Sequence, residues 1–132
     1  MDAVLLRLRE DQTLLTLLGL SATKKDEIVK RITRRGQFSE RVTGPVKLLL
    51  LQYKPDRKTF SDVMKEQVLQ VECHVHESEA DVAEKVMDRV RVLLHGWSLN
   101  RRPVYYEGQL GELPSMASFV CVGSRFTYHA SI

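Results

Sequence analysis

The chain has 132 residues, of which 43% are hydrophobic and 28% are charged, and its formal net charge is +3. These values are typical of one soluble globular domain with a core of its own, and they exclude a wholly disordered chain. The apolar run Leu48–Leu51 is too short to span a membrane, the N-terminus lacks a secretory pattern, and two cysteines make no disulfide framework. We therefore expect a single soluble domain over residues 1–132, made in a reducing cytoplasm.

The N-terminal segment, residues 1–18, is predicted to be one amphipathic helix from residue 2 onward, because apolar side chains recur there at helical spacing. Asp2 is its predicted N-cap, and Gly19 is its predicted stop. The next segment, residues 24–45, is predicted to be a basic stretch followed by a loop.

The basic stretch is ambiguous in its secondary structure. Residues 26–35 fit a short helix or a strand equally well, and Gly36 ends the segment in either case. Residues 36–45 have the composition of a loop, which we predict to be mobile.

Residues 46–129 are predicted to form a core of sheet and helix. Alternation and short apolar runs bounded by turn residues predict four strands, over residues 46–53, 68–76, 104–107 and 117–129. A polar loop is predicted over residues 54–66. A helix is predicted over residues 79–95, with Ser78 as its N-cap and Gly96 as its stop.

A predicted bulge and a predicted turn complete this prediction. Gly123 is a predicted bulge within the last strand, and Gly111 to Pro114 form a predicted turn before it. The fold class is then α+β, with a mainly antiparallel four-stranded sheet and helices packed on one face, in the order helix-β-β-α-β-β.

Two histidines are candidate ligands for a metal ion. His74 and His76 are two positions apart on one strand, so both face the same side, and Glu72 shares that side. A zinc site needs three or four ligands, so we favour a polar sheet face over a metal site and predict no metal and no cofactor.

A catalytic cysteine is also disfavoured. Cys73 alternates onto the apolar face, and neither Cys73 nor Cys121 combines with His129 in a recognisable nucleophile motif. The glycines form no phosphate-binding loop, and the paired carboxylates near residue 79 suit a helix start. We predict that the protein is not an enzyme.

The strongest electrostatic feature is a cluster of six cations within twelve residues, which we call the basic cluster. Its members are Lys24, Lys25, Lys30, Arg31, Arg34 and Arg35. The cluster is either a solvated or inter-subunit surface or a nonspecific DNA-facing surface. A second candidate interface combines aromatic and arginine side chains, as protein interfaces often do: Trp97, Arg101, Arg102, Tyr105 and Tyr106.

The second half of the chain resembles a known family. An apolar strand (VKLLLLQYKP) and an alternating strand (VLQVECHVHE) precede a helix (SEADVAEKVMDRVRVLL), and a Tyr-Gly segment (VYYEGQL) precedes a last strand ending in SRFTYHA. This order is similar to that of the small tail-terminator and head–tail joining (neck, tail-completion) proteins of long-tailed bacteriophages. The resemblance covers residues 46–129 well and the N-terminal third loosely.

The resemblance implies a structural role without catalytic residues. It implies a ring, of six copies by expectation, at the head-proximal end of a phage tail, contacting the tail tube protein and the head connector. DNA would pass through the lumen without base readout, and the loops at residues 36–45 and 54–66 would contact neighbouring rings. The implied location is the virion, after assembly in the host cytoplasm and without a membrane. The alternative is a small nonspecific nucleic-acid-binding protein that uses residues 24–35.

Overall fold

A computed structural model of the chain describes residues 2–38, 46–115 and 117–131. The described residues contain four α-helices, at Ala3–Glu10 (α1), Gln12–Leu17 (α2), Lys25–Arg31 (α3) and Ala80–Leu94 (α4). Their seven strands are Ile32–Arg34 (β1), Leu48–Lys58 (β2), Met64–His76 (β3), Ser98–Leu99 (β4), Arg102–Pro103 (β5), Tyr105–Leu113 (β6) and Phe119–Ser131 (β7). The predicted α+β class is confirmed.

The N-terminal segment is two helices, so the prediction of one continuous helix is wrong. Asp2 caps α1 as predicted, since its side chain accepts hydrogen bonds from the backbone N–H groups of Val4 and Leu5. Asp11 has extended backbone angles between the helices, and its side chain caps α2 by accepting from Leu14 N at 2.9 Å. A carboxylate satisfying free helix N–H groups favours a new helix start over helix continuation.

The main sheet has five strands in the order β1-β2-β3-β7-β6. β1 pairs with β2 in parallel, and the other pairs are antiparallel. The predicted four-stranded, mainly antiparallel sheet is therefore incomplete, and the sheet is mixed. The extra strand lies in the ambiguous residues 26–35, whose first part is α3 and whose last part is β1.

The hairpin between β2 and β3 is much longer than predicted. Its strands cover both ends of the predicted 54–66 loop and leave residues 59–63 as the turn. Ion pairs across the strands, Arg57 to Glu66 at 3.0 Å and Lys65 to Asp56 at 3.0 Å, accompany the pairing of these polar ends. Because both faces are polar there, the sequence lacks the alternation that indicates a strand.

The pairing of β6 and β7 corrects two further predictions. β6 continues through the predicted turn as far as Leu113, and the register shifts lie opposite β7 between Tyr106 and Gly108 and between Gln109 and Gly111. Gly123 itself pairs in register with Glu72 and with Gly111. The bulges therefore belong to β6, where Gly108 and Gly111 have positive φ angles.

The start of α4 also differs from its prediction. A 3-10 turn at Glu77–Glu79 precedes the helix, and the Ser78 side chain makes no cap. Instead, the backbone N–H of Ser78 donates to Nδ1 of His76. The end is close to the prediction, because Gly96 follows the last turn with φ +79°.

The sheet has two different faces. Alternate residues Leu69, Val71, Cys73 and Val75 of β3 are buried in one core with side chains of all four helices, so we call this the helix face. The predicted packing of helices on one face agrees with this core. The opposite face, which we call the polar face, carries the buried side chains of Gln70, Glu72, His74 and Cys121 and the half-buried side chain of Arg125.

Candidate functional site

The polar face holds a compact cluster of three side chains, Glu72, His74 and Cys121. Glu72 and His74 are alternate residues of β3, and Cys121 of β7 is the direct cross-strand partner of His74. His74 Nε2 lies 3.1 Å from Glu72 Oε1 and 3.4 Å from Cys121 Sγ. All three residues are buried, so the cluster is a built feature of the sheet.

Further contacts hold the carboxylate of Glu72. Gln70 Nε2 donates to Oε2 at 2.8 Å, and Arg35 Nη1 lies 3.3 Å from each carboxylate oxygen. Burial alone would raise the pKa of the Glu72 carboxyl. Hydrogen bonds from His74 and Gln70, together with the charge of Arg35, outweigh burial and hold that pKa below its usual value.

The two thiols lie on opposite faces and are both poor nucleophiles. Burial, with the nearby charge of Glu72, raises the pKa of the Cys121 thiol to about 12. Burial likewise raises the pKa of the Cys73 thiol. Cys121 and His129 lie eight positions apart on β7, so about 26 Å separates them along the strand. Neither thiol therefore has the activated form that nucleophilic catalysis requires.

His76 takes no part in the cluster. Its Nδ1 lies 2.8 Å from Ser78 Oγ, and its ring meets the Phe119 ring edge to face with the centroids 6.1 Å apart. The sequence pattern grouped His74 with His76, whereas in the structure the side chain of His74 contacts that of Cys121. Only the register of β3 against β7 shows this, which is why sequence reasoning missed Cys121.

The basic cluster is divided between the two faces of the sheet. Arg34 reaches Asp2 at 3.0 Å and lies over the ring of Tyr53, near α1. Arg35 reaches Glu72 on the polar face. Arg31 lies 3.6 Å from Glu27 within α3, whereas Lys24, Lys25 and Lys30 are exposed. The six cations therefore do not form one uniform surface.

The aromatic and arginine group is also divided. Trp97 packs under Arg7, whose guanidinium carbon is 4.8 Å from the ring centroid. Tyr106 packs against Phe126 and under Arg91. Tyr105 on β6 is 48% exposed, and Arg101 is exposed while Arg102 is half-buried. Tyr105 and Arg101 are therefore the members best placed to contact another molecule.

The sequence analysis missed a projecting apolar tip. The turn of the long hairpin exposes Phe60 and Val63, whose relative exposures are 112% and 68%. Two apolar side chains exposed close together on one turn form a small patch of the kind that marks protein interaction sites. Two apolar residues among polar neighbours at a predicted loop were the signal that could have indicated this tip.

The fold of the chain, unlike its sequence, matches that of a solved protein. No protein-family profile matches the sequence, and no curated protein matches it significantly. A chain of the solved virion of a native gene transfer agent (GTA) particle superposes with a TM-score of 0.67 at 14% identity. The match covers 98% of this chain and 92% of that chain.

The protein has the fold of a virion chain. Because the match extends over nearly the whole of both chains, it includes the N-terminal helices as well as the sheet and α4. At 14% identity the likeness concerns the fold alone, so no residue role is carried over. Within the described residues, no helix is long and apolar enough to cross a membrane.

Proposed function

We propose that this chain is a structural virion protein of the phage type, a tail terminator or head–tail joining subunit that forms a ring of six copies at the head-proximal end of a tail. The observation that carries the proposal is the fold shared with a GTA virion chain over almost the full length of both chains. The order of elements along residues 46–129 supports the same family.

The hairpin tip is the first surface suited to assembly. Phe60 and Val63 project at the end of β2 and β3, beyond the ion-paired strand ends. Apolar side chains that are exposed in the free subunit gain free energy when a neighbouring subunit buries them, by about 25 cal/mol for each Å² removed from water. We assign this tip to contacts between subunits or between successive rings.

The β6 edge is the second surface. In the described part of the chain, β6 pairs only with β7, and its other side has no strand partner. Unpaired backbone groups at a sheet edge accept an added strand. The opposite edge of the sheet is the three-residue β1, so the two edges differ, as heterologous ring contacts require.

Two bulges and an ion pair determine the shape of this edge. Arg57 of β2 forms a bidentate pair with Glu107 of β6, with both N–O distances at 3.1 Å, across the two strands between them. Glu107 is the residue skipped in the β6–β7 register. The bulge turns the carboxylate of Glu107 toward the hairpin. The ion pair between Glu107 and Arg57 therefore connects the two proposed contact surfaces.

Light scattering combined with negative-stain imaging tests the proposal. We expect annular particles with an open centre and a mass six times that of the 15.2 kDa subunit, alone or on addition of tail tubes built from the same genome's tube protein. The variant Phe60→Ser/Val63→Thr should lose the rings because the tip no longer gains from burial.

Val92→Thr is the matched control, because Val92 is 66% exposed on α4, away from the hairpin. That control should assemble like the unsubstituted chain, and both variants should unfold at the same denaturant concentration. A protein that stays monomeric at all concentrations and does not cap added tubes would contradict the proposed function.

A further inference from the structure

The Glu72, His74 and Cys121 side chains offer three metal-ligating atoms of three kinds: a carboxylate oxygen, an imidazole nitrogen and a thiol sulfur. These atoms all lie within 4.8 Å of one another. Polar side chains buried on a sheet face are usually paired through hydrogen bonds alone. In this trio the hydrogen-bonded atoms are also potential metal ligands, and they lie close enough together to be drawn onto one ion.

The separations suit a tetrahedral zinc ion. With zinc–nitrogen and zinc–oxygen bonds near 2.1 Å and zinc–sulfur bonds near 2.3 Å, tetrahedral ligand atoms are about 3.4 to 3.6 Å apart. His74 Nε2 lies 3.1 Å from Glu72 Oε1 and 3.4 Å from Cys121 Sγ. These two distances are within a few tenths of an ångström of the tetrahedral values. The ligand atoms of Glu72 and Cys121 lie within 4.8 Å of each other, so this third pair would have to move closer together around the ion.

The surrounding hydrogen bonds have the arrangement of outer partners around metal ligands. Nδ1 of His74, on the far side of the ring from the trio, lies 2.7 Å from Ser115 Oγ. Oε2 of Glu72 is held by Gln70 at 2.8 Å, which leaves Oε1 facing His74. Partners of this kind fix the orientation of a ligating imidazole or carboxylate and raise metal affinity.

The charges also balance. A Glu72 carboxylate and a Cys121 thiolate together neutralise a divalent ion, and the thiol releases its proton to solvent when it binds the metal. Arg35 is the competing cation, since it lies 3.3 Å from Glu72. Its side chain is 52% exposed, so it can turn toward solvent when an ion takes its place.

We propose that Glu72, His74 and Cys121 form a binding site for one Zn²⁺ ion on the polar face, with Ser115 as a positioning residue for His74. A nitrogen, a sulfur and an oxygen ligand together favour zinc over magnesium or calcium, which prefer oxygen ligands alone. Water would complete the coordination of the ion. An open pocket lies next to His74, and its lining residues are Arg35, Phe38, Leu50, His74, Pro114 and Ser115. The site links β3 to β7 and does not depend on the proposed role in a virion.

Cobalt substitution tests the site with a spectroscopic signature. The tag-free protein, stripped with a chelator, should bind one Co²⁺ per chain and develop the near-ultraviolet charge-transfer band of a cobalt–thiolate bond. Equimolar Zn²⁺ should bleach that band and raise the melting temperature. Cys121→Ser should lose the band and weaken Zn²⁺ binding by about 100-fold or more, and Ser115→Ala should weaken it by about 10-fold.

His76→Gln is the control for adventitious binding by a surface histidine, and it should bind like the unsubstituted chain. Absence of the cobalt band in the unsubstituted chain, or equal Zn²⁺ affinity in the Cys121→Ser variant, would overturn the proposal. Zinc-edge X-ray absorption of the unsubstituted protein gives a test without any variant. It should show one sulfur among nitrogen and oxygen ligands, and a sulfur-free spectrum would also overturn it.

Discussion

At the scale of single residues, Asp11 determines how the N-terminal segment meets the rest of the domain. Its carboxylate caps α2 through Leu14 N and also forms a bidentate pair with Arg89 of α4, at 2.9 Å to Nε and 2.8 Å to Nη2. One side chain thus ends the first helix, begins the second and attaches both to the central helix.

The double role of Asp11 predicts a pH-dependent stability. The hydrogen bond from Arg89 is the main cause that holds the pKa of Asp11 below its usual value. A carboxyl with a lowered folded-state pKa contributes stability that is complete above its unfolded pKa, near 4, and is lost as pH falls through the folded pKa. Urea unfolding should therefore show Asp11→Asn less stable than the unsubstituted chain at pH 7, and the gap should close in acid.

The asparagine variant separates the contribution of the Asp11 charge to stability from the contribution of its helix cap. Asparagine caps helices nearly as well as aspartate, so Asp11→Asn tests the charge, whereas Asp11→Ala should lose about 1 kcal/mol more through the missing cap. Glu10→Ala, at an exposed neighbouring position, serves as the control and should change little. A gap between Asp11→Asn and the unsubstituted chain that stays constant from pH 7 to strong acid would contradict this explanation.

At the scale of elements, the packing of β6 on β7 depends on a missing side chain. A Cβ atom at Gly123 would lie 2.5 Å from Leu113 Cδ1 and 3.4 Å from the carbonyl oxygen of Val71. The backbone at Gly123 does not have a positive φ, so the reason for glycine there is space for Leu113. This contrasts with the bulge glycines of β6, whose φ angles disfavour other residues.

A double-mutant cycle tests the contact of Gly123 with Leu113. Gly123→Ala should destabilise the protein by about 1 kcal/mol, because Leu113 must leave its rotamer. In a Leu113→Ala background the same substitution should cost much less, a coupling that urea titrations measure directly. Gly36→Ala is the control, since no atom lies within 4 Å of a Cβ added there. Additive free energies of unfolding would rule out this contact as the cause.

The elements that sequence reasoning predicted best are those whose apolar side chains all lie on one side of the strand or helix. The alternation along β3 and the 3.6-residue period of α4 follow directly from burial against the core, so their existence was predictable. The ends of β2 and β3 carry charges on both sides and pair through Arg57–Glu66, a tertiary contact that has no periodic signature. The short β1 was left undecided, because residues 26–35 fit a helix or a strand equally well and only the pairing with β2 shows which part is strand.

The candidate site was predictable only in part, for the same reason. His74 and Glu72 share a face because they are two residues apart on a strand, and the sequence shows this. Cys121 joins them through the register of β7 on β3, and Ser115 joins them from the segment before β7. Register is a property of paired strands, so the pattern of one strand alone does not determine which residue lies opposite.

At the scale of the whole molecule, positive charge is distributed in a way that bears on the remaining alternative function. Arg31, Arg34 and Arg35 of the basic cluster contact carboxylates of the chain itself, and Arg34 and Arg35 do so on opposite faces of the sheet. Lys24 and Lys25 are exposed at the start of α3, where they can contact a polyanion.

Salt-dependent DNA binding distinguishes such a weak surface from a true binding site. Each phosphate neutralised on a duplex contributes about 0.9 to the slope of log affinity against log salt, so six free cations would give a slope near 5. Because Arg34 and Arg35 hold Asp2 and Glu72, we expect a slope of no more than about 4, measured by fluorescence anisotropy on a labelled duplex. Replacing Lys24 and Lys25 with glutamine should flatten this slope without changing stability. Alanine at Arg34 or Arg35 should also lower the melting temperature, since each substitution removes the arginine partner of a carboxylate whose side chain is buried. A slope near 5 in the unsubstituted chain, flattened by the lysine substitutions, would favour the nucleic-acid-binding function over the structural ring.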